Sequence, residues 1–282
     1  MTNLVPARVA YATGPRDERA AATEVAAARR TRDVPDLATF DVILVNSSGG
    51  KDSQAMLDVV AVAASAARVL HRVVVQHNDL RRVEWPGTRD LARRQAEHYG
   101  LRFEVRRRSG PDLLEDIRQR GKFPDAARRW CTSDHKRGPG RTLITALVHE
   151  LRLDRPARVL QCFGFRAEES PGRAGRAELS YDQGASTQTT RHVWTWLPIH
   201  SWTVDEVWAR IHATGVPYHP AYDLGMSRLS CSFCVLASKR DLLTACRARP
   251  DLAYEYAAVE AEIGHSFRKD LRMAQLIEEA GM

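Results

Sequence analysis

A short loop of glycine, serine and charged residues, Ser48-Gly49-Gly50-Lys51-Asp52-Ser53, contains the residue types that hold phosphate groups. The glycines can adopt positive φ and let the backbone approach a ligand closely. If a helix begins after the loop, its first amides point at a bound anion, and the serine hydroxyls and the Lys51 ammonium group add to them. Asp52 either holds Mg²⁺ or only shapes the loop. We therefore predict a nucleotide phosphate site, although the Gly-x-x-x-x-Gly-Lys-Ser/Thr signature of Walker loops is absent from the sequence.

Four of the five cysteines are candidates for one metal site. Cys231 and Cys234 are separated by two residues, a spacing that metal ligands, redox pairs and core cysteines share. Cys131 lies in a polar segment, and Cys162 is near the end of a predicted strand, where parallel sheets line their ligand crevice. Four thiolates favour an iron–sulfur cluster or zinc. The alternative that these cysteines bind no metal stays open. Cys246 falls inside a predicted helix and is expected in the core.

The elements that must position these groups alternate between strands and helices. Short apolar runs predict buried parallel strands at 41–46, 72–76, 102–106, 158–163 and 192–197. Helices are predicted at 53–67, 87–99, 112–120 and 141–151, after a capping box at Thr203–Glu206, and over most of the chain from Lys239, with Pro250 beginning a new helix. The polar segment 170–192 is predicted as a mobile loop. This order predicts βαβ units and a parallel sheet.

Length and composition favour one large α/β domain in a chain of 282 residues. We predict a helical leader over 1–40, with a helix at 17–30, a nucleotide-binding domain over 41–235 and a helical segment over 236–282. The longest apolar stretch, 57–70, is interrupted by polar residues and is too short for a membrane helix. The N-terminus lacks a signal-peptide pattern and the cysteine count is odd, so we expect a cytoplasmic protein.

The positive charge of the chain is concentrated in one region. The formal net charge is +7, and residues 102–158 contain 15 Lys or Arg against eight Asp or Glu, an excess as large as that of the whole chain. A basic band of this kind suits a phosphate-rich partner such as nucleic acid. A solvated, arginine-rich surface explains it equally well.

Four motifs, in this order, resemble the phosphoadenosine phosphosulfate (PAPS) reductase family of the PP-loop ATP pyrophosphatase superfamily. They are the phosphate loop, Arg129-Trp-Cys-Thr-Ser-Asp-His-Lys136, Gly164-Phe-Arg-Ala-Glu-Glu-Ser170 and Ser230-Cys-Ser-Phe-Cys234. The resemblance covers residues 41–240. It implies an α/β fold of the adenine nucleotide alpha hydrolase-like type, with a five-stranded, mostly parallel sheet flanked by helices and a helical C-terminal appendage. The nucleotide would lie across the C-terminal edge of the sheet.

The resemblance also implies roles for individual side chains. Lys51, Asp52 and Arg166 would act at the reacting nucleotide, with Arg166 in contact with it, and Lys136 would offer its charge to a phosphate or sulfate group. Cluster-bearing relatives have adjacent cysteines where Trp130-Cys131 stands, so a fourth ligand must come from elsewhere. A [4Fe-4S] cluster in this chain would be held by Cys131, Cys162, Cys231 and Cys234.

ATP is the substrate that the resemblance favours. Sulfonucleotide reductases carry a degenerate phosphate loop and a catalytic cysteine in a C-terminal tail, whereas this loop is intact and no cysteine follows Cys246. We therefore predict an ATP pyrophosphatase that activates an oxygen for replacement by sulfur, closest in character to the enzyme of bacterial DNA phosphorothioation systems. A cysteine desulfurase would donate the sulfur, and DNA rather than tRNA would accept it. A sulfonucleotide reductase and a non-catalytic iron–sulfur or nucleotide-sensing module stay open as alternatives.

Two polar residues and three tryptophans near predicted strands are also notable. His77 and Asp79 follow the second predicted strand and either border the nucleotide or belong to a surface loop. Three tryptophans flank the last predicted strand and are expected in the core, namely Trp194, Trp196 and Trp202.

Overall fold

A computed structural model of the protein describes residues 34–282. The predicted helix at 17–30 lies outside the described residues. Within residues 34–282, six strands form one sheet with the order β3-β2-β1-β4-β6-β5. The strands are β1 (Val42–Ser47), β2 (Val73–Asn78), β3 (Arg102–Arg106), β4 (Ala157–Cys162), β5 (Leu179–Tyr181) and β6 (Arg191–Trp196).

The five predicted strands are all present and pair in parallel. Each begins and ends within two residues of its prediction. Strand β1 lies in the middle of the sheet, and its first four residues are all buried. A continuous apolar run is typical of such a strand, because helices cover both faces of a parallel sheet.

The sheet has one strand more than predicted. Residues Leu179–Tyr181 form β5 inside the segment that was predicted as a mobile loop, and they pair antiparallel with β6. The ring of Tyr181 packs edge-on against that of Trp194, with centroids 5.3 Å apart, as a cross-strand aromatic contact. All three β5 residues are exposed. So short and exposed a strand has no periodic pattern by which the sequence could reveal it.

Helices cover both faces of the sheet. Leu57 and Val60 of the first helix belong to the core on one face, and Leu143 and Leu147 belong to the core on the other. The α-helices are α1 (Lys51–Ala66), α2 (Thr88–His98), α3 (Leu113–Arg120), α4 (Trp130–Thr132), α5 (Gly138–Leu151), α6 (Pro171–Ala174), α7 (Val204–Thr214), α8 (Lys239–Ala248), α9 (Pro250–Ile263) and α10 (Met273–Glu279). A π-helix (Ser133–Arg137) joins α4 to α5, and short 3-10 helices lie at Leu37–Thr39, Leu70–Arg72, Arg81–Val83, Ala167–Glu169 and Pro220–Tyr222.

Two predicted helix starts and the predicted tryptophan core are confirmed. The Thr203 side chain accepts the amide of Glu206, and the Glu206 carboxylate accepts the amide of Thr203, which closes the capping box at the start of α7. Pro250 is the first residue of α9. Among the tryptophans, Trp196 and Trp202 are buried, and Trp194 is half-buried against the same core.

The C-terminal helices build a second core with segments that precede them. Tyr256 and Phe267 pack there with Trp85, which follows β2, and with Phe233, which lies between Cys231 and Cys234. The segment from 236 onward therefore shares its core with the loops at the C-terminal edge of the sheet. None of the helices in residues 34–282 combines the length and the apolar character that a membrane-spanning helix needs.

Candidate active site

The phosphate loop lies between β1 and α1, at the C-terminal edge of the sheet. Gly49 has φ +71, and a Cβ there would be 2.9 Å from Cγ2 of Thr88. At Gly50 a Cβ would be 3.1 Å from the hydroxyl oxygen of Tyr222. The two glycines therefore let the loop pass between neighbouring segments. Helix α1 begins at Lys51, and the amides of its first turn have no partner within the helix.

Serine hydroxyls fix the shape of the loop. Ser53 Oγ donates to the carbonyl of Gly50 at 2.8 Å and accepts the amide of Ser48 at 3.2 Å. Ser47 Oγ accepts the amide of Gly49 at 3.3 Å. The loop is therefore shaped by its own side chains before any ligand binds.

The Lys51 side chain is buried at the loop, with 3% of its surface exposed. Its Nζ donates to Oδ2 of Asp52 at 3.0 Å and to the carbonyl of Ser227 at 3.2 Å. Its backbone amide donates to the Tyr222 hydroxyl at 2.8 Å. The positive charge of Lys51 is thus held next to the start of α1 and shielded from solvent.

Arg166 is a second cation at the loop. Its Nε donates to Oδ1 of Asp52 at 2.6 Å, and it also forms an ion pair with Glu168. Burial alone would lower the pKa of Arg166, but the carboxylates of Asp52 and Glu168 outweigh burial, and the pKa is raised. Since Asp52 also binds Lys51, the three predicted catalytic residues form one cation–anion–cation series.

The approach of Arg166 depends on Gly164, two residues before it. A Cβ at Gly164 would lie 2.6 Å from the carbonyl oxygen of Asp52 and 3.0 Å from the amide nitrogen of Ser53. The segment after β4 therefore passes directly against the first turn of α1. This close approach explains why the Gly-Phe-Arg part of the motif has glycine at this position.

A buried histidine connects the loop to the second core. His77 is 1% exposed; its Nδ1 lies 3.1 Å from the carbonyl oxygen of Ser47, and its Nε2 lies 3.2 Å from Oε2 of Glu84. His77 therefore lies inside the protein beside the loop, not on a surface loop. Asp79 accepts the amide of Arg81 at 2.8 Å and shapes the turn that leads to Glu84.

Three of the four predicted metal ligands come together around Lys136. Burial alone would lower the pKa of Lys136, but the negative charges that Cys231, Cys234 and Cys131 carry when deprotonated, followed by that of Glu84, outweigh burial and raise it. Burial raises the pKa of the Cys231 thiol to about 12 and also raises that of Cys131, although Lys136 opposes both shifts. The Cys131 and Cys231 thiols are therefore protonated at neutral pH, and binding a metal would release their protons.

The structure places Cys162, the predicted fourth ligand, apart from the other three cysteines. Its side chain is buried in the core under α1, whereas the other three cysteines pack with the C-terminal helices. Side chains alternate across a strand, and position 162 of β4 faces this core. Cys246 is buried in the second core, as predicted. Within residues 34–282, no group of three or more His, Cys, Asp or Glu side chains is arranged as a ready metal site.

Two site residues were missed by the sequence analysis, namely Tyr222 and Ser227. Both lie in the connection between α7 and the Cys231-Ser-Phe-Cys234 motif, and both contact Lys51. The sequence contains no signal for them except their position near that motif. Tyr222 and Ser227 follow Lys51 by 171 and 176 residues, and no spacing rule relates residues so far apart.

The basic band is neutralised in part. Arg102, Arg118 and Arg155 form ion pairs with carboxylates. By contrast, three arginines beside Cys131 and Lys136 are exposed and form no ion pair with a described residue, namely Arg128, Arg129 and Arg137. Part of the unneutralised positive charge of this stretch therefore lies at the rim of the three thiols. Other exposed basic residues of the stretch also form no ion pair with a described residue, namely Arg107, Lys122, Arg141 and Arg152.

Comparison with known proteins gives the family context. The family model described as phosphoadenosine phosphosulfate reductase domain matches residues 42–237. A protein of Escherichia phage 186, described as an uncharacterized 37.8 kDa protein, is 30% identical over 147 residues, which are 52% of this chain and 42% of the phage protein. An adenosine 5′-phosphosulfate reductase of Pseudomonas aeruginosa is 24% identical over 195 residues, 69% of this chain and 66% of the reductase. The chain thus spans less than half of the first relative and just under two thirds of the second.

Two solved structures are similar at low identity. The PAPS reductase from Candida auris has a TM-score of 0.48 and 16% identity, and the match covers 78% of this chain and 98% of that one. The U34-tRNA thiolase NcsA from Methanococcus maripaludis, solved with its [4Fe-4S] cluster, has a TM-score of 0.46 and 14% identity, and the match covers 92% of this chain and 80% of that one.

Proposed function

Because this chain belongs to the phosphoadenosine phosphosulfate reductase family, we propose that it splits ATP to AMP and pyrophosphate and thereby activates an oxygen atom for replacement by sulfur. The observation that best supports this is the complete phosphate loop at the start of α1. Its glycines fit the narrow path of the backbone, its hydroxyls fix the turn, and Lys51 and Arg166 add two buried cations. Such a site favours a polyanion.

The proposed reaction is an adenylyl transfer. An acceptor oxygen attacks the α-phosphorus of ATP, the bond from this phosphorus to the β-bridging oxygen breaks, and pyrophosphate leaves with the electron pair. The amides of the first turn of α1 and the Lys51 ammonium group favour the negative charge that develops on the leaving group. Two electrons from a thiol reductant bring the donor's persulfide sulfur to the oxidation level of sulfide. This sulfur then displaces AMP, and the acceptor's oxygen leaves with AMP.

Asp52 is the residue that would hold Mg²⁺. Each of its carboxylate oxygens accepts one hydrogen bond, from Lys51 or from Arg166, and keeps a further lone pair, and the side chain is 21% exposed. One protein carboxylate together with substrate phosphates is a usual ligand set for Mg²⁺. Bound there, Mg²⁺ would neutralise part of the phosphate charge.

Cys131, Cys231 and Cys234 are the residues that would hold a [4Fe-4S] cluster. Thiolates are the preferred protein ligands of iron–sulfur clusters, and all three residues pack in the second core. The charge of Lys136 favours the thiolate forms of Cys131 and Cys231. With Cys162 in another core, the described residues offer three thiol ligands at this place instead of four. When bound, a cluster would carry sulfide or tune the electrostatics of the site, and zinc is the other metal that this thiol set would suit.

We also propose a nucleic acid as the sulfur acceptor, with DNA favoured over tRNA, and a cysteine desulfurase as the sulfur donor. The support is the positive rim of Arg128, Arg129 and Arg137 next to the thiols, since exposed arginines without ion pairs can neutralise backbone phosphates. The preference for DNA rests on the resemblance to DNA phosphorothioation enzymes.

A sulfonucleotide reductase is the second candidate. The observation that favours it is the relative named adenosine 5′-phosphosulfate reductase, together with the three thiols gathered near the nucleotide edge of the sheet. Adenylylsulfate would use the same loop but has no β,γ-phosphates. The intact loop and its buried lysine would then have less to bind, which is why we place this function second.

Product analysis separates these functions. The protein is incubated with ATP or with adenylylsulfate plus a thiol reductant, each alone and with duplex DNA or tRNA, and pyrophosphate, AMP and sulfite are measured. We expect pyrophosphate and AMP from ATP. A Lys51→Gln variant should lose activity roughly 10- to 100-fold, because a charge-assisted contact contributes about 1.5–3 kcal/mol. The matched control is Lys239→Gln, which removes an exposed lysine paired with Glu279.

Each alternative outcome has a clear meaning. Sulfite from adenylylsulfate without pyrophosphate from ATP would replace our proposal with the reductase. Neither product, under anaerobic conditions and with all acceptors, would favour a non-catalytic nucleotide-sensing or iron–sulfur module.

A further inference from the structure

The segment 219–229 covers the phosphate loop, and Tyr222 reaches into it. The Tyr222 hydroxyl accepts the amide of Lys51 at 2.8 Å. A Cβ on Gly50 would touch both Tyr222 and Leu229. The hydroxyl therefore lies directly on the loop.

The position of this hydroxyl is that of an anion's oxygen. Lys51 is the first residue of α1, and its amide is one of the groups through which a helix N-terminus holds a phosphate. The tyrosine oxygen accepts this amide at 2.8 Å, as a phosphate oxygen would. A phosphate group and the Tyr222 hydroxyl therefore compete for the amide of Lys51.

The same segment continues into the cysteine motif. The carbonyl of Ser227 accepts Nζ of Lys51, and Cys231 follows four residues later. Beyond it, the amide of Ser232 donates to the carbonyl of Val83, and Ser227 itself is bound through its amide and hydroxyl to Asp241. The segment 222–231 therefore contacts Lys51 at two points, Tyr222 and Ser227, and ends at Cys231, a residue that is 9% exposed.

We propose that Tyr222 is a latch that closes the phosphate loop in the absence of nucleotide, and that the phosphates of a bound nucleotide displace its hydroxyl and loosen the packing of Cys231. This inference rests on the proposed function, because it requires the loop to bind phosphates. It adds a coupling between the nucleotide site and the thiols, so that the thiols become accessible when the nucleotide has bound. Tyr222 acts here as a positioning residue.

The test compares Tyr222→Phe with Tyr218→Phe. Both variants remove one hydroxyl from the same connection, but the Tyr218 hydroxyl donates to Asp223 at 3.0 Å and does not contact the loop. The affinity for ATP and for inorganic pyrophosphate is measured by calorimetry. Alkylation of Cys231 by iodoacetamide is followed by mass spectrometry, with and without pyrophosphate.

We expect Tyr222→Phe to bind ATP and pyrophosphate roughly two- to tenfold more tightly than the parent, because one hydrogen bond that competes with the ligand is lost. In the parent, pyrophosphate should accelerate alkylation of Cys231, and in Tyr222→Phe the reaction should already be faster without ligand. Tyr218→Phe should behave as the parent in both measurements.

Two results would overturn the latch while leaving the proposed function intact. One is unchanged or weaker binding by Tyr222→Phe when the parent binds ATP, which would make the hydroxyl a structural or ligand-binding group. The other is a Cys231 alkylation rate that pyrophosphate does not raise in the parent. If neither the parent nor Tyr222→Phe binds ATP or pyrophosphate, the proposed function and the latch are both wrong.

Discussion

Replacing Gly164 with alanine tests the packing that joins the motif after β4 to the phosphate loop. The added Cβ would lie 2.6 Å from the carbonyl oxygen of Asp52, 2.8 Å from its carbonyl carbon and 3.0 Å from the amide nitrogen of Ser53. All three contacts are with backbone atoms of the first turn of α1, which cannot rotate away as a side chain could. The segment and the helix must therefore move apart.

The expected cost has two parts. Forcing an extra carbon into a packed site typically destabilises a protein by about 1–3 kcal/mol, which for a chain of this size lowers Tm by roughly 2–12 °C. Separation of the two segments also weakens the ion pair between Arg166 and Asp52, so ATP binding should weaken at least about tenfold, since a charge-assisted hydrogen bond contributes about 1.5–3 kcal/mol.

Thermal unfolding and calorimetric titration with ATP measure the two parts separately. Gly172→Ala is the matched control, because a Cβ at Gly172 would meet nothing within 4 Å and the residue lies in the same connection. The control should keep the Tm and the ATP affinity of the parent. A Gly164→Ala variant with a Tm within about 1 °C of the parent and unchanged ATP affinity would refute the reasoning.

Three further predictions concern the thiols, the positive rim and a buried histidine. In anaerobic protein, Cys131→Ala should lower the iron and zinc content, whereas Cys162→Ala should not. Loss of metal in the Cys162→Ala variant would instead show that Cys162 is a metal ligand. If DNA binds at the rim, replacing both Arg128 and Arg129 by serine should reduce the slope of log affinity against log salt by about two in gel-shift titrations. An unchanged slope would show that these two arginines do not contact DNA phosphates. Burial lowers the pKa of His219 from its usual 6.5 to about 4. Between these pH values the unfolded state binds more protons than the folded state. The free energy of unfolding should therefore fall by about 3 kcal/mol as the pH falls from 6.5 to 4. Denaturant titrations of the parent and of His219→Gln measure this loss, and equal pH dependence in the two would contradict it.

The sequence was informative where local patterns decide the structure. The apolar run of β1, the glycines after it and the helix-forming residues of α1 all act over a few neighbouring positions, and their order identified the phosphate loop. The capping box at Thr203–Glu206 is equally local, since its two hydrogen bonds join residues three apart. These elements were predicted within two residues, because no distant contact was needed to specify them.

The remaining features depend on contacts between distant parts of the chain. Whether Cys162 faces the thiols or the opposite core is decided by the side-chain alternation in β4, and a shift of one residue reverses it. The contact of Tyr222 with Lys51 joins residues 171 apart, and that of His77 with Glu84 requires the turn at Asp79 to fold back. A pattern of residue types does not encode these distances.

The π-helix at Ser133–Arg137 has a consequence for the orientation of Lys136 relative to Cys131. In a regular α-helix, two side chains five positions apart point about 140° away from each other around the axis. The wider turn, in which the amide of Gly138 bonds to the carbonyl of Ser133, accommodates an additional residue and reduces this angle. The ammonium group and the thiol can then share one side of the helix. Deleting a single residue within this turn would restore the narrower winding and bring the two residues four positions apart, about 40° around the axis, so the cation should stay on the side of the thiol.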